Sequence, residues 1–152
     1  MRKFLLLNSA QRFSDFALLL LRLFVGLFLI LGVWDNLTDS ARMQEFASFL
    51  AKHGFPSPKI LAPVSAYLQL AIGVGFFLGL FTRWAGIFCV IHFAIAIAMV
   101  DRFTGMRGTF PSGCLVVIGL YLASHGAGRF SVDEALKANQ PPRANGGVRF
   151  KN

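Results

Sequence analysis

Charge is scarce in this chain. Of its 152 residues only 14% are Asp, Glu, Lys or Arg, and the acidic ones number 7. Soluble domains of this size carry about 25% charge, so a water-solvated surface wrapped round a single core is excluded. Cysteine is scarce too. Cys89 and Cys114 form no Cys-x-x-Cys pair and belong to no set of four ligands at zinc-site spacing, which leaves no basis for a disulfide framework or a zinc site. There is no P-loop, dinucleotide fingerprint, HExxH or haem-attachment motif, and no Ser-His-Asp arrangement. His53, His92 and His125 fall at different expected depths and cannot share one metal or haem. No catalytic residue and no metal ligand is therefore assigned.

What is abundant is apolar sequence, 55% of the chain, with 17 Phe. It is gathered into long runs, and about 20 apolar residues cross a hydrocarbon core of roughly 30 Å. Four runs qualify, at about 15–34, 61–81, 84–100 and 109–125. The predicted fold is all-α: an integral membrane bundle of four transmembrane helices. Residues 1–14 form a basic lead-in. Residues 15–127 make up the membrane domain, and 128–152 form a tail with one short helix and then a flexible end. The first run starts too late, is too long and lacks the small-residue cleavage site of a signal peptide, so it is read as a retained helix.

The connection between spans one and two is the longest. Asp39 or Ser40 can cap a helix there. Met43, Phe46, Ala47 and Leu50 then share one helical face, and Gly54, Pro56 and Pro58 end the segment. A short amphipathic helix at the membrane surface or over the bundle is expected. In the tail, Ser131 and Glu134 have capping-box spacing, which predicts a helix from Val132 to Asn139. The spans carry small-residue pairs, Gly75-x-x-x-Gly79 and Ala94-x-x-x-Ala98. These are expected to serve packing inside the bundle.

The formal charge of +8 sits at the ends of the runs and not in a stripe with exposed aromatics. It therefore reports membrane orientation and lipid contact, not nucleic-acid binding. The terminal side carries nine Lys and Arg outside the spans, against five on the other side. The positive-inside rule then places both termini in the cytoplasm.

Polar groups at membrane depth are costly and rare. Counted at about 1.5 Å per residue, Arg22, Gln69, His92 and Tyr121 fall at comparable depths in the terminal half of four different helices. One reading is a polar pocket. In it Arg22 binds an anionic or carbonyl oxygen, His92 relays a proton, and Gln69 and Tyr121 orient a headgroup. The other reading is snorkelling by Arg22 and hydrogen bonding between helices by the rest. Trp34, Asp35, Tyr67, Asp101 and Arg107 lie at the opposite ends of their helices. They read either as interfacial anchors or as a docking surface for a partner. The same ruler separates Cys89 and Cys114 by more than about 10 Å in depth, which excludes a thiol relay between them.

Three stretches resemble the DoxX family of small four-span membrane proteins. They are Arg22-Leu23-Phe24-Val25-Gly26; Gly54-Phe55-Pro56-Ser57-Pro58 with the later Leu78-Gly79-Leu80-Phe81-Thr82-Arg83; and Gly126-Ala127-Gly128-Arg129-Phe130-Ser131-Val132-Asp133. The chain departs from the family pattern twice. Gln69 stands where the family usually has Glu, and Trp34-Asp35-Asn36 where it often has Lys. The resemblance implies a redox setting linked to quinones or oxidative stress, in a bacterial-type inner membrane. It implies a non-catalytic membrane subunit or anchor with a protein partner in a redox complex. The alternative is a stand-alone protein that binds or transforms a quinone-like lipophile inside the bundle. Quinone or bound lipid is the ligand class expected in either case. The sequence fixes no oligomeric state.

Overall fold

The computed structural model describes residues 13–138. The expected basic lead-in and the flexible end of the tail lie outside the described residues, apart from Phe13 and Ser14. The described chain is all-helical, with no strand. Four helices are long and apolar enough to cross a membrane: α1 (Ser14–Thr38), α3 (Pro58–Leu78), α4 (Thr82–Met99) and α5 (Gly105–His125). Between the first two spans lies α2 (Ser40–Lys52), and after the last comes α6 (Val132–Ala138). A 3-10 turn at Asp101–Phe103 joins α4 to α5.

Helix α2 forms for the expected reason. The Asp39 carboxylate accepts a hydrogen bond from the Ala41 N–H at 2.8 Å, capping the helix start. Met43, Phe46, Ala47 and Leu50 are its less exposed face, and Leu50 is buried. Gly54, with φ +76°, turns the chain towards α3.

The spans pack as two close pairs, α1 with α3 and α4 with α5, and α3 and α4 join the pairs. Each close pair crosses at facing glycines. A Cβ on Gly26 would lie 2.7 Å from the Phe77 nitrogen and 2.8 Å from the Gly73 oxygen. A Cβ on Gly86 would lie 2.7 Å from the Ala123 nitrogen and the Gly119 oxygen. Helices in lipid gain little from burying apolar surface against one another, so backbone approach at such points supplies much of the packing. The expected small-residue pairs do this only in part: a Cβ on Gly75 would lie 3.1 Å from the Ala85 Cβ of α4. Gly79 ends α3 at φ +67°, and Ala94 and Ala98 face outwards. What matters is a lone glycine opposite another lone glycine. Around these crossings Leu18, Val25, Leu29, Ile72, Phe76, Cys89, Phe93, Leu115 and Leu122 form the core.

Gly86→Val is expected to cost about 1–3 kcal/mol, the range for forcing atoms into a packed seam. Gly113 has no neighbour within 4 Å of an added Cβ, so Gly113→Val should leave thermal stability in detergent unchanged. Equal melting temperatures for the two variants would contradict the glycine crossing.

Candidate functional site: a latched end and an apolar cavity

At the end of the bundle where α1 begins, the buried stripe of α1 runs Leu18, Arg22, Val25, Leu29, Val33. Arg22 is only 1% exposed. It does not snorkel. Its Nε donates to the Phe76 carbonyl at 3.1 Å, and Nη1 donates to the carbonyls of Ala127 and, at 3.2 Å, Phe130. Phe76 lies in the last turn of α3, where carbonyls lack helical partners and the helix dipole is negative, so a cation is favoured there. A Cβ on Gly79 would come within 2.5 Å of the guanidinium. Gly79 is thus required both for its positive φ and for its emptiness.

The segment after α5 completes the arrangement. Helix α4 has no side-chain cap of its own. Asp133 caps it from a distance: its two carboxylate oxygens accept the N–H groups of Phe81 at 2.8 Å and Thr82 at 2.9 Å. In return the Asp133 N–H donates to the Gly79 carbonyl at 2.9 Å. Ser131 caps α6 through the Glu134 N–H at 3.2 Å and donates to the Gly128 carbonyl at 2.7 Å. The stretch Gly126–Asp133 is therefore a latch across the α3–α4 turn.

The second feature is a cavity of about 340 Å³ in the middle and opposite half of the bundle. Helix α2 covers it with Phe46, Phe49 and Leu50, and Phe55 of the following linker adds to the cover. Leu61, Val64, Ser65, Leu68 and Gln69 of α3 form one wall. His92, Phe93, Ile95, Ala96 and Val100 of α4 form another, with Asp101 also on the lining. Gln69 Nε2 donates to the Leu29 carbonyl at 3.3 Å. The His92 ring meets Phe93 edge-on, with centroids 4.9 Å apart. One carboxylate oxygen of Asp101 is buried without a hydrogen-bond partner among the described residues. Cavities of this size, mostly apolar with a few polar groups, are the usual form of small-ligand sites.

The four side chains expected to converge do not. Gln69 and His92 share the cavity. Arg22 is held by carbonyls about 10 Å away along α1, judged from its spacing to Leu29. Tyr121 is 45% exposed and stacks on His125 at 5.2 Å. Of the second group, Trp34, Asp35, Tyr67 and Arg107 are exposed, whereas Asp101 is partly buried at the cavity. The cysteine geometry is also corrected. Cys89 Sγ lies 3.5 Å from the Leu115 carbonyl, so Cys89 and Cys114 are at similar depth. The ruler failed because α5 starts at Gly105, earlier than expected, which carries Cys114 deeper. They differ instead in facing. Cys89 is buried in the α4–α5 seam, and Cys114 lines an outward groove with Phe110 and Val117. Both are free thiols. No group of three or more His, Cys, Asp or Glu among the described residues is placed to hold a metal.

Residues 17–102 match the DoxX family. The chain belongs to the DoxX family. No curated protein and no solved structure matches it. The DoxX match takes in Arg22, Gly79 and every lining residue of the cavity, and it stops short of the latch at Gly126–Asp133.

Sequence reasoning singled out Arg22 but missed its partners, because backbone carbonyls carry no residue signature. Asp133 gave one clue that went unused. The two-residue break before Trp84 provides no local cap for α4, so a cap had to come from elsewhere.

Asp133→Ala removes two charged hydrogen bonds, and Arg22→Leu removes three, from the carbonyls of Phe76, Ala127 and Phe130. Each should destabilise the DoxX protein by about 2 kcal/mol or more, read as a fall in thermal midpoint in detergent. The Thr82 hydroxyl is fully buried and has no partner among the described residues. Thr82→Val, which keeps the N–H bonded to Asp133, should therefore match or exceed the wild-type midpoint.

Proposed function

We propose that this DoxX protein is a non-catalytic membrane subunit of a quinone-linked redox assembly. In this reading it holds a quinone-like lipophile in the cavity under α2. The observation that carries the proposal is the cavity itself. It is apolar over most of its lining, with a histidine and an amide on adjoining walls. A flat ring with carbonyl or hydroxyl oxygens fits that mixture, and an apolar tail can leave between helices into lipid. His92 supplies the hydrogen bond to the ring oxygen and Gln69 helps to orient it. Arg22 is left out, since it does not line the cavity and its Nε and Nη1 serve three carbonyls at the latched end. Tyr121 is left out as an exposed group stacked on His125.

The quinone and the redox partner come from the family resemblance. The charge count supports both termini in the cytoplasm, and the bacterial-type inner membrane comes from the family resemblance. On that orientation Trp34, Asp35, Tyr67 and Arg107 face the periplasmic side. Trp34 is 53% exposed and Tyr67 61% exposed, and together they offer a surface for the partner.

The test is purification in mild detergent followed by mass spectrometry of intact complexes. A quinone retained in fixed ratio by the wild type, and reduced about tenfold in His92→Leu, is the expected result. That loss corresponds to one hydrogen bond of about 1.4 kcal/mol. Retention unaffected by His92→Leu, or lost equally in Arg83→Ala at the other end, would remove the cavity from the reading.

A further inference from the structure

A second cavity, of about 470 Å³, opens at the latched end of the bundle. It lies among the starts of α1 and α4, the end of α5, and α6. We propose that it is a headgroup site for an anionic phospholipid, whose phosphate is held by Arg83 and Arg129. This proposal is independent of the quinone reading, which concerns the opposite half of the bundle.

Two guanidiniums at this cavity have no acidic partner among the described residues. Three acidic residues line this cavity. Asp133 is committed to the N–H groups of Phe81 and Thr82. Glu134 pairs with Lys137 at 3.2 Å. Asp15 stands in the first turn of α1, where the helix dipole favours an anion. Arg83 and Arg129 also line the cavity, and neither enters an ion pair among the described residues. Acids and bases on the lining are equal in number, but the carboxylates of Asp133 and Glu134 are turned to other partners, which leaves both guanidiniums with donors free towards the cavity.

Placement favours a phosphate too. The Arg83 guanidinium lies alongside Gly126, whose φ is +90°. A Cβ there would sit 3.4 Å from its Nε. The latch loop thus positions one cation and carries the other, Arg129, three residues on. Guanidinium groups present forked donors that match phosphate oxygens. The cavity also has an apolar border. Phe81 is 67% exposed and Trp84 63% exposed, and Leu136 lies opposite on α6. Aromatic side chains at this level sit among lipid headgroups. Free phosphate would use the two arginines but not this border. A lipid uses both, with its phosphate between the arginines and its glycerol and upper acyl chain against Phe81 and Trp84.

Trp84 makes the test direct, because the chain has 2 tryptophans and Trp34 lies at the far end of α1. In a Trp34→Phe background, Trp84 fluorescence is measured in vesicles of phosphatidylcholine containing brominated phosphatidylglycerol or brominated phosphatidylcholine. Quenching should show a preference for the anionic lipid on the order of tenfold. The preference should vanish in Arg83→Ala/Arg129→Ala. It should persist in Arg42→Ala/Arg102→Ala, which removes the same charge at the other end. No preference in the parent protein, or an equal preference in the first pair of variants, overturns the proposal. So does inorganic phosphate at tens of millimolar, if it abolishes the preference, since the site then takes the free ion. Native mass spectrometry of the wild type from an equimolar lipid mixture gives a reading that needs no variant. Phosphatidylglycerol retained over phosphatidylcholine supports the site, and equal retention refutes it.

Discussion

A guanidinium in a hydrocarbon layer must meet oxygen atoms, and Arg22 meets three that belong to two separate stretches of chain. One is at the end of α3, and two follow α5. Because these are carbonyls, they accept only if the backbone bearing them is brought to Arg22 and held there. The loop after α5 must therefore fold inwards across the end of the bundle, and α3 must stop in time to expose its last carbonyls. Glycine at position 79 satisfies both the left-handed turn and the space that the guanidinium occupies. Once that turn is made, α4 begins almost at once without a cap, and Asp133 on the incoming loop takes the two free N–H groups. The geometry of the whole latched end follows from one cation that has to be solvated by protein.

That dependence explains which features could be read from the sequence. Four spans follow from apolar run length, and α2 follows from the stripe of Met43, Phe46, Ala47 and Leu50. Arg22 was conspicuous because it is charged, but its partners were invisible because any residue has a carbonyl. The depth ruler served poorly. It treats span starts as known, and α5 starts at Gly105 through a 3-10 turn that the residue pattern does not mark. Small-residue motifs located one contact, Gly75 against Ala85, and missed the closer ones for a related reason. They describe spacing along one helix, whereas the close crossings here need Gly26 opposite Gly73 and Gly86 opposite Gly119. The cavity could not be read at all, since it arises from how α2 lies across α3 and α4 and not from any one segment.

The departure at Gln69 fits the geometry found. Its amide donates to the Leu29 carbonyl, which an ionised carboxylate cannot do, because a carboxylate only accepts. An ionised Glu in the same place would set two acceptors facing each other in a medium where unpaired polar groups are expensive. The amide therefore suits both the helix contact and the neutral, largely apolar cavity beside it. His92 remains as the titratable group on that part of the lining, with Asp101 at the end where α4 gives way to the turn.

The two ends of this bundle solve opposite problems. At one end a buried charge is held by three carbonyls of the protein. At the other end α2 spreads phenylalanines over a space that the helices leave unfilled. A void lined by apolar groups is poorly suited to water, and the dispersion contacts missing around it favour an apolar guest. The latch that holds the fold and the proposed quinone cavity thus lie in different halves of one small chain. A change at the latch should act on binding through the fold, while a change at His92 should act on binding with the fold intact. That separation lets the two roles be tested one at a time in a protein of only 152 residues.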